Sequence, residues 1–166
     1  LLQEIVWKVQ PDVIVETGTY KGGTALFFAS LLDWQGRGKV LSIDITDVQP
    51  KPVHPRVTYL IGSSTAPEIV AQVKAAIKPG DIVLVDLDSA HSKHHVLGEL
   101  RAYADVVSPG SYIIVEDTKA SHPFLPDLRL EPGEAIDEFL QENPNFVNDT
   151  TWANRFLTPE GSEYLR

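Results

Sequence analysis

The stretch DIVLVDLDSAH, residues 81–91, decides the fold, because it is an apolar run that ends abruptly in polar side chains. The run is rich in Val, Ile and Leu and is nearly continuous, which is typical of a strand covered on both faces, as in a parallel sheet. It ends in Asp86, Asp88, Ser89 and His91. A strand that only filled a core would not need this end, so we expect these side chains to serve a site.

Four similar runs predict further buried strands, and segments with apolar residues at helical spacing separate them. Short Pro-Gly segments end two of the predicted helices. This alternation predicts a three-layer, doubly wound α/β sandwich with a mostly parallel sheet and right-handed crossovers. The predicted strands are 12–16, 39–44, 56–62, 81–88 and 111–117, and the predicted helices are 22–35, 66–77 and 92–107.

The last third of the chain has a different pattern. Residues 117–133 predict a long loop that contains prolines, either a lid or substrate loop at the end of a strand or a plain surface connection. Residues 132–144 predict a helix. The segments 145–151 and 152–159 then predict two closing strands, which could pair as a hairpin.

The length and composition indicate one ordinary globular domain. The chain has 166 residues, of which 43% are hydrophobic, enough for a full-sized core. No apolar run reaches the ~18–20 residues that span a bilayer, and the first ten residues do not resemble a signal peptide. We therefore expect a single domain over residues 1–166. Because the chain begins at Leu1 without a methionine, we also expect that this domain is trimmed at its N terminus.

Charge and cysteine content exclude several classes of function. The net charge of −9 argues against a nucleic-acid surface, which needs a basic footprint. The absence of cysteine excludes disulfides, zinc-thiolate sites, iron–sulfur clusters and thiol nucleophiles. A cytoplasmic enzyme fits this composition.

Every predicted strand ends in polar or glycine-rich sequence. In a doubly wound sheet, ligands bind outside the carboxyl ends of the strands. Five such ends on one rim favour a site for a cofactor and a substrate over a purely structural domain. The strand ends are Glu16 with the following TGTYKGG, Asp44, the GSS at 62–64, the DLDSAH at 86–91, and Glu116 with Asp117.

The glycine-rich turn ETGTYKGGTA at 16–25 indicates a nucleoside ligand that lacks a phosphate. Its spacing matches neither the dinucleotide nor the ATP fingerprint. Asp44 ends the second strand, where an acidic residue suits the ribose hydroxyls, and the segment 62–64 could border an adenine. S-adenosylmethionine fits this combination. Helix capping would also explain the glycines at 18, 22 and 23.

Three carboxylates are predicted to converge on one small volume. Asp88 ends the fourth strand, and Glu116 and Asp117 end the fifth, which lies beside it in this topology. Like charges this close repel, and a hard divalent cation resolves the repulsion. An all-oxygen set points to Mg²⁺, Mn²⁺ or Ca²⁺. The alternative is that one carboxylate caps a helix and the others face water.

His91 is the candidate general base. It follows Asp88 by three residues, and histidine's ordinary pKa of ~6.5 suits proton transfer near neutral pH. Capping of the next helix is the alternative role. We expect His94 and His95 on the helix surface, although His91, His95 and Asp88 could also form an iron or zinc site. Asp86 shares a strand face with Asp88 and could contact the glycine loop or the cofactor.

These residues resemble the cephalosporin hydroxylase family, which contains metal- and S-adenosylmethionine-dependent O-methyltransferases of antibiotic and lipid sugars. The resemblance covers roughly residues 11–166, and catechol-type methyltransferases show a similar acidic spacing, in which a pair follows one carboxylate by 28 and 29 residues. The segments that carry it are VETGTYKGGTALFFASLL, LSIDI, VLVDLDSAHSKHHVLGELRAYADVVSPGSYIIVEDT and FLTPEGSEYLR.

The resemblance implies roles for particular residues and a seven-stranded class I methyltransferase fold. It implies His91 as the general base. The implied metal ligands are Asp88, Glu116 and Asp117. The implied cofactor positions are Glu16, Gly18, Asp44 and Ser64, and Ser63 is the other candidate for the position of Ser64. With Asp86, predicted from its strand face, these residues form the predicted site.

We therefore expect a Mg²⁺- or Mn²⁺-dependent O-methyltransferase that uses S-adenosylmethionine and acts on a hydroxyl of a small molecule, a sugar or an antibiotic. We expect no nucleic-acid or membrane partner and allow for a homo-oligomer. Two alternatives remain. An oxygenase, as the family name suggests, would use Fe²⁺ and 2-oxoglutarate, and a non-catalytic domain would only bind a nucleoside.

Overall fold

The computed structural model describes residues 1–120, 131–153 and 160–166. Within them, six strands form one sheet in the order β3-β2-β1-β4-β5-β6, in which only β6 is antiparallel to its neighbour. The predicted mostly parallel sheet is confirmed. Its strands are β1 (Val13–Thr17), β2 (Lys39–Asp44), β3 (Val57–Ile61), β4 (Val83–Leu87), β5 (Ile113–Ala120) and β6 (Glu160–Leu165).

Helices cover both faces of this sheet, which gives the predicted three layers. None of the helices in the described ranges is long and apolar enough to cross a membrane. The helices are α1 (Leu2–Val9), α2 (Gly23–Gln35), α3 (Pro67–Ala76), α4 (Lys93–Tyr103), α5 (Glu131–Glu142) and α6 (Thr150–Ala153).

The strands are apolar on both faces because each face contacts a separate core. In β1, Val13 and Val15 pack into the cluster that α3, α4 and α5 cover. Ile14, between them, packs into the opposite cluster with residues of α1 and α2, such as Ile5 and Phe28. Alternate residues of a strand point to opposite faces. This explains why the strands read as continuous apolar runs rather than as alternating ones.

The C-terminal part differs from the prediction. Residues 145–151 do not form a strand, because Asp149 accepts a hydrogen bond from the Thr151 amide at 3.1 Å and a short helix, α6, follows. Only Asn148 forms an isolated bridge to the last strand. Residues 152 and 153 also belong to α6, and 154–159 lie outside the described residues. The closing strand is β6 instead.

Two further predictions changed. The described residues contain six strands, not the seven that the resemblance implied. Most of the predicted loop 117–133 lies outside the described residues, and its first part continues β5 as far as Ala120. The sequence prediction also missed α1, an amphipathic helix that buries Ile5 and Val6 against α2.

Candidate active site

A cavity of about 490 Å³ lies at the carboxyl ends of the parallel strands, where the topology predicts it. Its size suits a small-molecule ligand. It contains four of the six predicted cofactor residues, namely Gly18, Asp44, Ser63 and Ser64. The remaining lining residues are Tyr20, Ile43, Ile45, Gly62, Asp88, Ser89, Ala90 and His95.

Gly18 allows two loops to meet at the floor of this cavity. Its φ is +89°, and a Cβ atom there would lie 1.8 Å from the carbonyl oxygen of Asp88. The Gly18 amide donates to the Ile43 carbonyl at 2.8 Å, and the Asp88 amide donates to the Thr17 carbonyl at 3.1 Å. A side chain at Gly18 would therefore push apart the loops that follow β1 and β4.

Asp44 lines the cavity at the end of β2. Its Oδ2 accepts a hydrogen bond from the Tyr20 amide at 2.7 Å, and its Oδ1 accepts one from the Thr46 amide at 2.8 Å. These bonds fix the carboxylate at the cavity wall, and each oxygen keeps a further lone pair. The arrangement therefore leaves Asp44 able to accept hydrogen bonds from a bound ligand.

Glu16 and Asp86, the other two predicted cofactor residues, are buried beside each other and do not line the cavity. They are paired in register on β1 and β4, and each is 1% exposed. The Ser42 hydroxyl donates to Glu16 and lies 2.6 Å from the Thr19 hydroxyl. Burial raises the pKa of Glu16 to about 7. Burial also raises the pKa of Asp86, and the nearby negative charges of Glu116 and Glu16 raise it further. Neither side chain is therefore placed to contact a cofactor in the cavity directly.

Replacement of Glu16 by Gln is expected to change how stability depends on pH. The folded-state pKa of about 7 lies above the ordinary 4.5, so the folded state binds more protons than the unfolded state between these values. The free energy of unfolding of the native protein therefore falls as pH rises through this window. Glu16→Gln removes this loss, so its stability relative to the native protein should increase by up to about 3 kcal/mol between pH 4 and 8.

Urea unfolding at several pH values checks this prediction. The prediction would be contradicted if the free energies of unfolding of the native protein and of Glu16→Gln changed with pH in parallel. Glu16 would then already be ionised in the acidic range.

Asp88, His91 and Asp117 form a cluster beside the cavity. One ligand-type atom from each lies within 4.8 Å of the others. The Nε2 atom of His91 is 3.4 Å from Asp117 Oδ2 and 3.9 Å from Asp88 Oδ1. All three side chains are partly exposed, between 34% and 42%. Two of the three predicted metal ligands and the predicted base therefore converge.

The backbone of β5 explains why Asp117 reaches this cluster and Glu116 does not join it. Asp117 has a φ of +54°, a left-handed conformation that is uncommon outside glycine. The pairing of β5 with β6 shifts register between Val115 and Lys119. The Glu116 carboxylate accepts a hydrogen bond from the Ser162 hydroxyl of β6. Glu116 as a third metal ligand therefore stays a prediction.

His95 corrects the prediction of a surface residue, whereas His94 is exposed as predicted. His95 lines the cavity, and its Nε2 is 3.1 Å from Ser64 Oγ and 3.4 Å from Glu99 Oε1. An iron or zinc site of His91, His95 and Asp88 is therefore wrong, because His95 faces the wall formed by Ser64 and Glu99. The sequence analysis missed both His95 and Glu99, although their i, i+4 spacing on the helix after the strand tip could have indicated a shared face.

Comparison with known proteins adds family information to this geometry. A family model described as rhamnosyl O-methyltransferase/CmcI matches residues 1–166. A rhamnosyl O-methyltransferase of Mycobacterium leprae is 35% identical in an alignment of 161 positions that covers 93% of this chain and 70% of that protein.

Solved structures match the fold at lower sequence identity. A CmcI structure with Mg and SAM superposes with a TM-score of 0.69 at 19% identity, over 99% of this chain and 69% of that one. A TDP-rhamnose 3'-O-methyltransferase of calicheamicin biosynthesis gives a TM-score of 0.67 at 18% identity, over 99% and 76%. At these identities the superpositions show the class I methyltransferase fold.

Proposed function

The chain belongs to the rhamnosyl O-methyltransferase/CmcI family and is an S-adenosylmethionine-dependent O-methyltransferase. We propose that it methylates a hydroxyl group of a sugar, and the first candidate for this sugar is a rhamnosyl group. The observation that carries the proposal is the Asp88–His91–Asp117 cluster beside a nucleoside-sized cavity. We further propose that the cluster holds Mg²⁺ or Mn²⁺.

The donor set of the cluster fits such a cation. Its two carboxylates, Asp88 and Asp117, have oxygen atoms within 4.8 Å of each other and are hard oxygen ligands of the kind that Mg²⁺ and Mn²⁺ prefer. Without a cation, Asp88 and Asp117 would place two negative charges together at the cavity edge. When bound, the cation would lower the pKa of an acceptor hydroxyl, and S-adenosylmethionine would supply the methyl group.

His91 has the position of a general base. Its Nε2 faces the carboxylates of Asp117 and Asp88, which would stabilise the imidazolium after proton transfer. With a proton on Nε2, its Nδ1 keeps the lone pair that takes the proton of the acceptor hydroxyl. The chain's remaining contribution is to hold the acceptor and the methyl donor in line, which supplies much of the rate.

Asp44 is the proposed ribose ligand. It lines the cavity next to Gly18, and the two backbone amides that it accepts hold it in place. A carboxylate can accept hydrogen bonds from two vicinal hydroxyls at once.

Replacement of Asp44 by Ala is expected to weaken binding of S-adenosylhomocysteine by ~1–3 kcal/mol, the usual loss for a hydrogen bond to a charged group. Calorimetric titration measures the change. Asp47→Ala is the matched control, because Asp47 is a nearby exposed acidic residue that does not line the cavity. Equal affinities of the native protein and the Asp44 variant would remove Asp44 from the site.

The same titration, with and without Mg²⁺, tests the proposed function. Binding of S-adenosylhomocysteine together with methyl transfer that requires the metal supports it. An oxygenase should ignore the nucleoside and respond to Fe²⁺ and 2-oxoglutarate. A binding domain without turnover should take up the nucleoside and transfer nothing.

The cellular location and the oligomeric state of the protein stay predictions. The acidic balance, with a net charge of −9, supports a small-molecule acceptor rather than nucleic acid. The composition fits a cytoplasmic location, and a homo-oligomer stays a prediction.

A further inference from the structure

The segment between β4 and α4 carries two of the three side chains in the Asp88–His91–Asp117 cluster. Asp88 follows β4 directly, and His91 stands two residues before α4 begins. The third member, Asp117, comes from β5. The conformation of this short segment therefore decides whether the Asp88 carboxylate and the His91 imidazole stay close to Asp117.

Backbone amides fix only the two ends of this segment. The Asp88 amide donates to the Thr17 carbonyl at 3.1 Å, and the Lys93 amide donates to the Glu131 carboxylate at 2.8 Å. Between them, the amides of residues 89–91 donate to no backbone carbonyl within the described ranges of the chain. Segments with few such bonds are the ones that open locally. A side-chain anchor is therefore needed to hold the middle of the segment in one conformation.

Ser89 supplies such an anchor. Its hydroxyl donates to Oε1 of Glu99 at 2.7 Å, and the same oxygen accepts a hydrogen bond from the Ser64 hydroxyl at 2.5 Å. Glu99 lies on α4 and is 0% exposed, so its carboxylate is held inside the protein. A hydrogen bond to a carboxylate is roughly twice as strong as one between neutral groups. The bond from Ser89 to Glu99 therefore ties the segment that carries the cluster to the helix that follows it.

Packing of α4 does not explain why residue 99 is a buried glutamate. Burial of a carboxylate is costly, and an apolar residue would join the helix to the sheet at less cost. The helix already has such contacts, because Leu100 lies in the core and the Tyr103 hydroxyl donates to the Ser64 carbonyl at 2.6 Å. Glu99 Oε2 has no hydrogen-bond partner among the described residues, whereas Oε1 accepts both serine hydroxyls. What the carboxylate adds is a fixed acceptor for the Ser89 hydroxyl.

We infer that Ser89 and Glu99 are positioning residues, which hold Asp88 and His91 at the distances from Asp117 that the proposed cation site requires. The inference rests on the proposed function, in which the two aspartates bind Mg²⁺ or Mn²⁺. Neither Ser89 nor Glu99 is a proposed metal ligand or base, so both act through the side chains that their hydrogen bond holds in place.

Mn²⁺ titration of the protein with alanine at position 89 tests the inference. Ser89→Ala should weaken Mn²⁺ binding by roughly 10- to 100-fold, the usual loss when a residue that orients metal ligands is removed. Ser92→Ala is the matched control and should bind Mn²⁺ as the native protein does. Ser92 is an exposed serine of the same segment, and its side chain makes no capping hydrogen bond to α4.

A double substitution tests whether Ser89 acts through Glu99. Glu99→Gln should also lower the Mn²⁺ affinity, and the losses from Ser89→Ala and Glu99→Gln should be less than additive, because both substitutions affect the same hydrogen bond. Full additivity would remove Glu99 from this role. Ser89 is partly exposed, so Ser89→Ala should fold even if Glu99→Gln does not, and its comparison with Ser92→Ala then decides.

Titration of the same variants with S-adenosylhomocysteine separates positioning from general damage. A purely structural residue would lower the free energy of unfolding, while the folded variant bound Mn²⁺ normally. A distorted cavity would weaken both ligands alike, whereas loss of positioning should weaken Mn²⁺ far more than the nucleoside. Native Mn²⁺ affinity of Ser89→Ala would overturn the inference, as would equal losses for the two ligands. Failure of the native protein to bind Mn²⁺ would overturn the proposed metal site itself, and this inference with it.

Discussion

Asp88→Asn and Asp117→Asn are each expected to reduce the rate of methyl transfer by roughly 10³-fold. A divalent cation that activates the acceptor hydroxyl is worth several kcal/mol, and each 1.36 kcal/mol changes the rate about tenfold. Both carboxylates belong to the only group of potential metal ligands that the described residues form. Each substitution removes one charge from this group with almost no change of volume. The expected result is weak metal binding in a folded protein that still binds S-adenosylhomocysteine.

Mn²⁺ titration and initial rates at saturating S-adenosylmethionine measure the two effects. Asp105→Asn is the control, because Asp105 is an exposed carboxylate paired with Lys74 on the surface. Glu116→Gln decides the third ligand. A loss of metal affinity would show that Glu116 also binds the cation, and native affinity would limit the site to the observed cluster. Full activity of Asp88→Asn and Asp117→Asn would remove the metal from the mechanism.

His91→Ala is expected to lower the transfer rate by roughly 10²- to 10⁴-fold, the usual contribution of a positioned acid or base. The imidazole is neutral before it accepts the proton and cationic afterwards, and the two neighbouring carboxylates stabilise the cation. Lys93 is the competing base on the same segment. Its pairing with Glu138 at 3.1 Å raises its pKa and keeps it protonated. His91 is therefore the stronger candidate.

Metal affinity distinguishes a base from a ligand, which matters because His91 lies within the cluster. As a base, His91 can be removed without a change in Mn²⁺ affinity. His94→Ala, an exposed neighbour, should behave as the native enzyme. Weakened Mn²⁺ binding by His91→Ala would make His91 a ligand, and a native rate would move the search for the base elsewhere.

The parallel part of the fold could be predicted closely because its strands are buried on both faces. Val13, Ile14 and Val15 show this, since each contacts one of two separate cores and the sequence is apolar throughout. The C-terminal part could not be predicted in this way. Two closing strands were predicted there, but the side chain of Asp149 accepts a hydrogen bond from the Thr151 backbone and favours a helical turn.

The site was predictable as a set of strand ends, and its details were not. Glu116 and Asp117 were expected to act together, yet a register shift and the left-handed φ of Asp117 direct only Asp117 to the cluster. Neither feature has a signal in the residue pattern. His95 was expected on the helix surface, and its true environment depends on Glu99. A single buried carboxylate on a helix does not reveal its partners from sequence.

The proposed reaction is the transfer of a methyl group from S-adenosylmethionine to a sugar hydroxyl with the help of a divalent cation. Transfer of tritiated methyl from S-adenosylmethionine to a rhamnoside acceptor tests it most directly, measured as purified, after chelation with EDTA, and after Mg²⁺ is restored. The account predicts a labelled methyl ether whose formation stops with EDTA and returns with Mg²⁺. Formation of the same product at an unchanged rate after exhaustive chelation would contradict it.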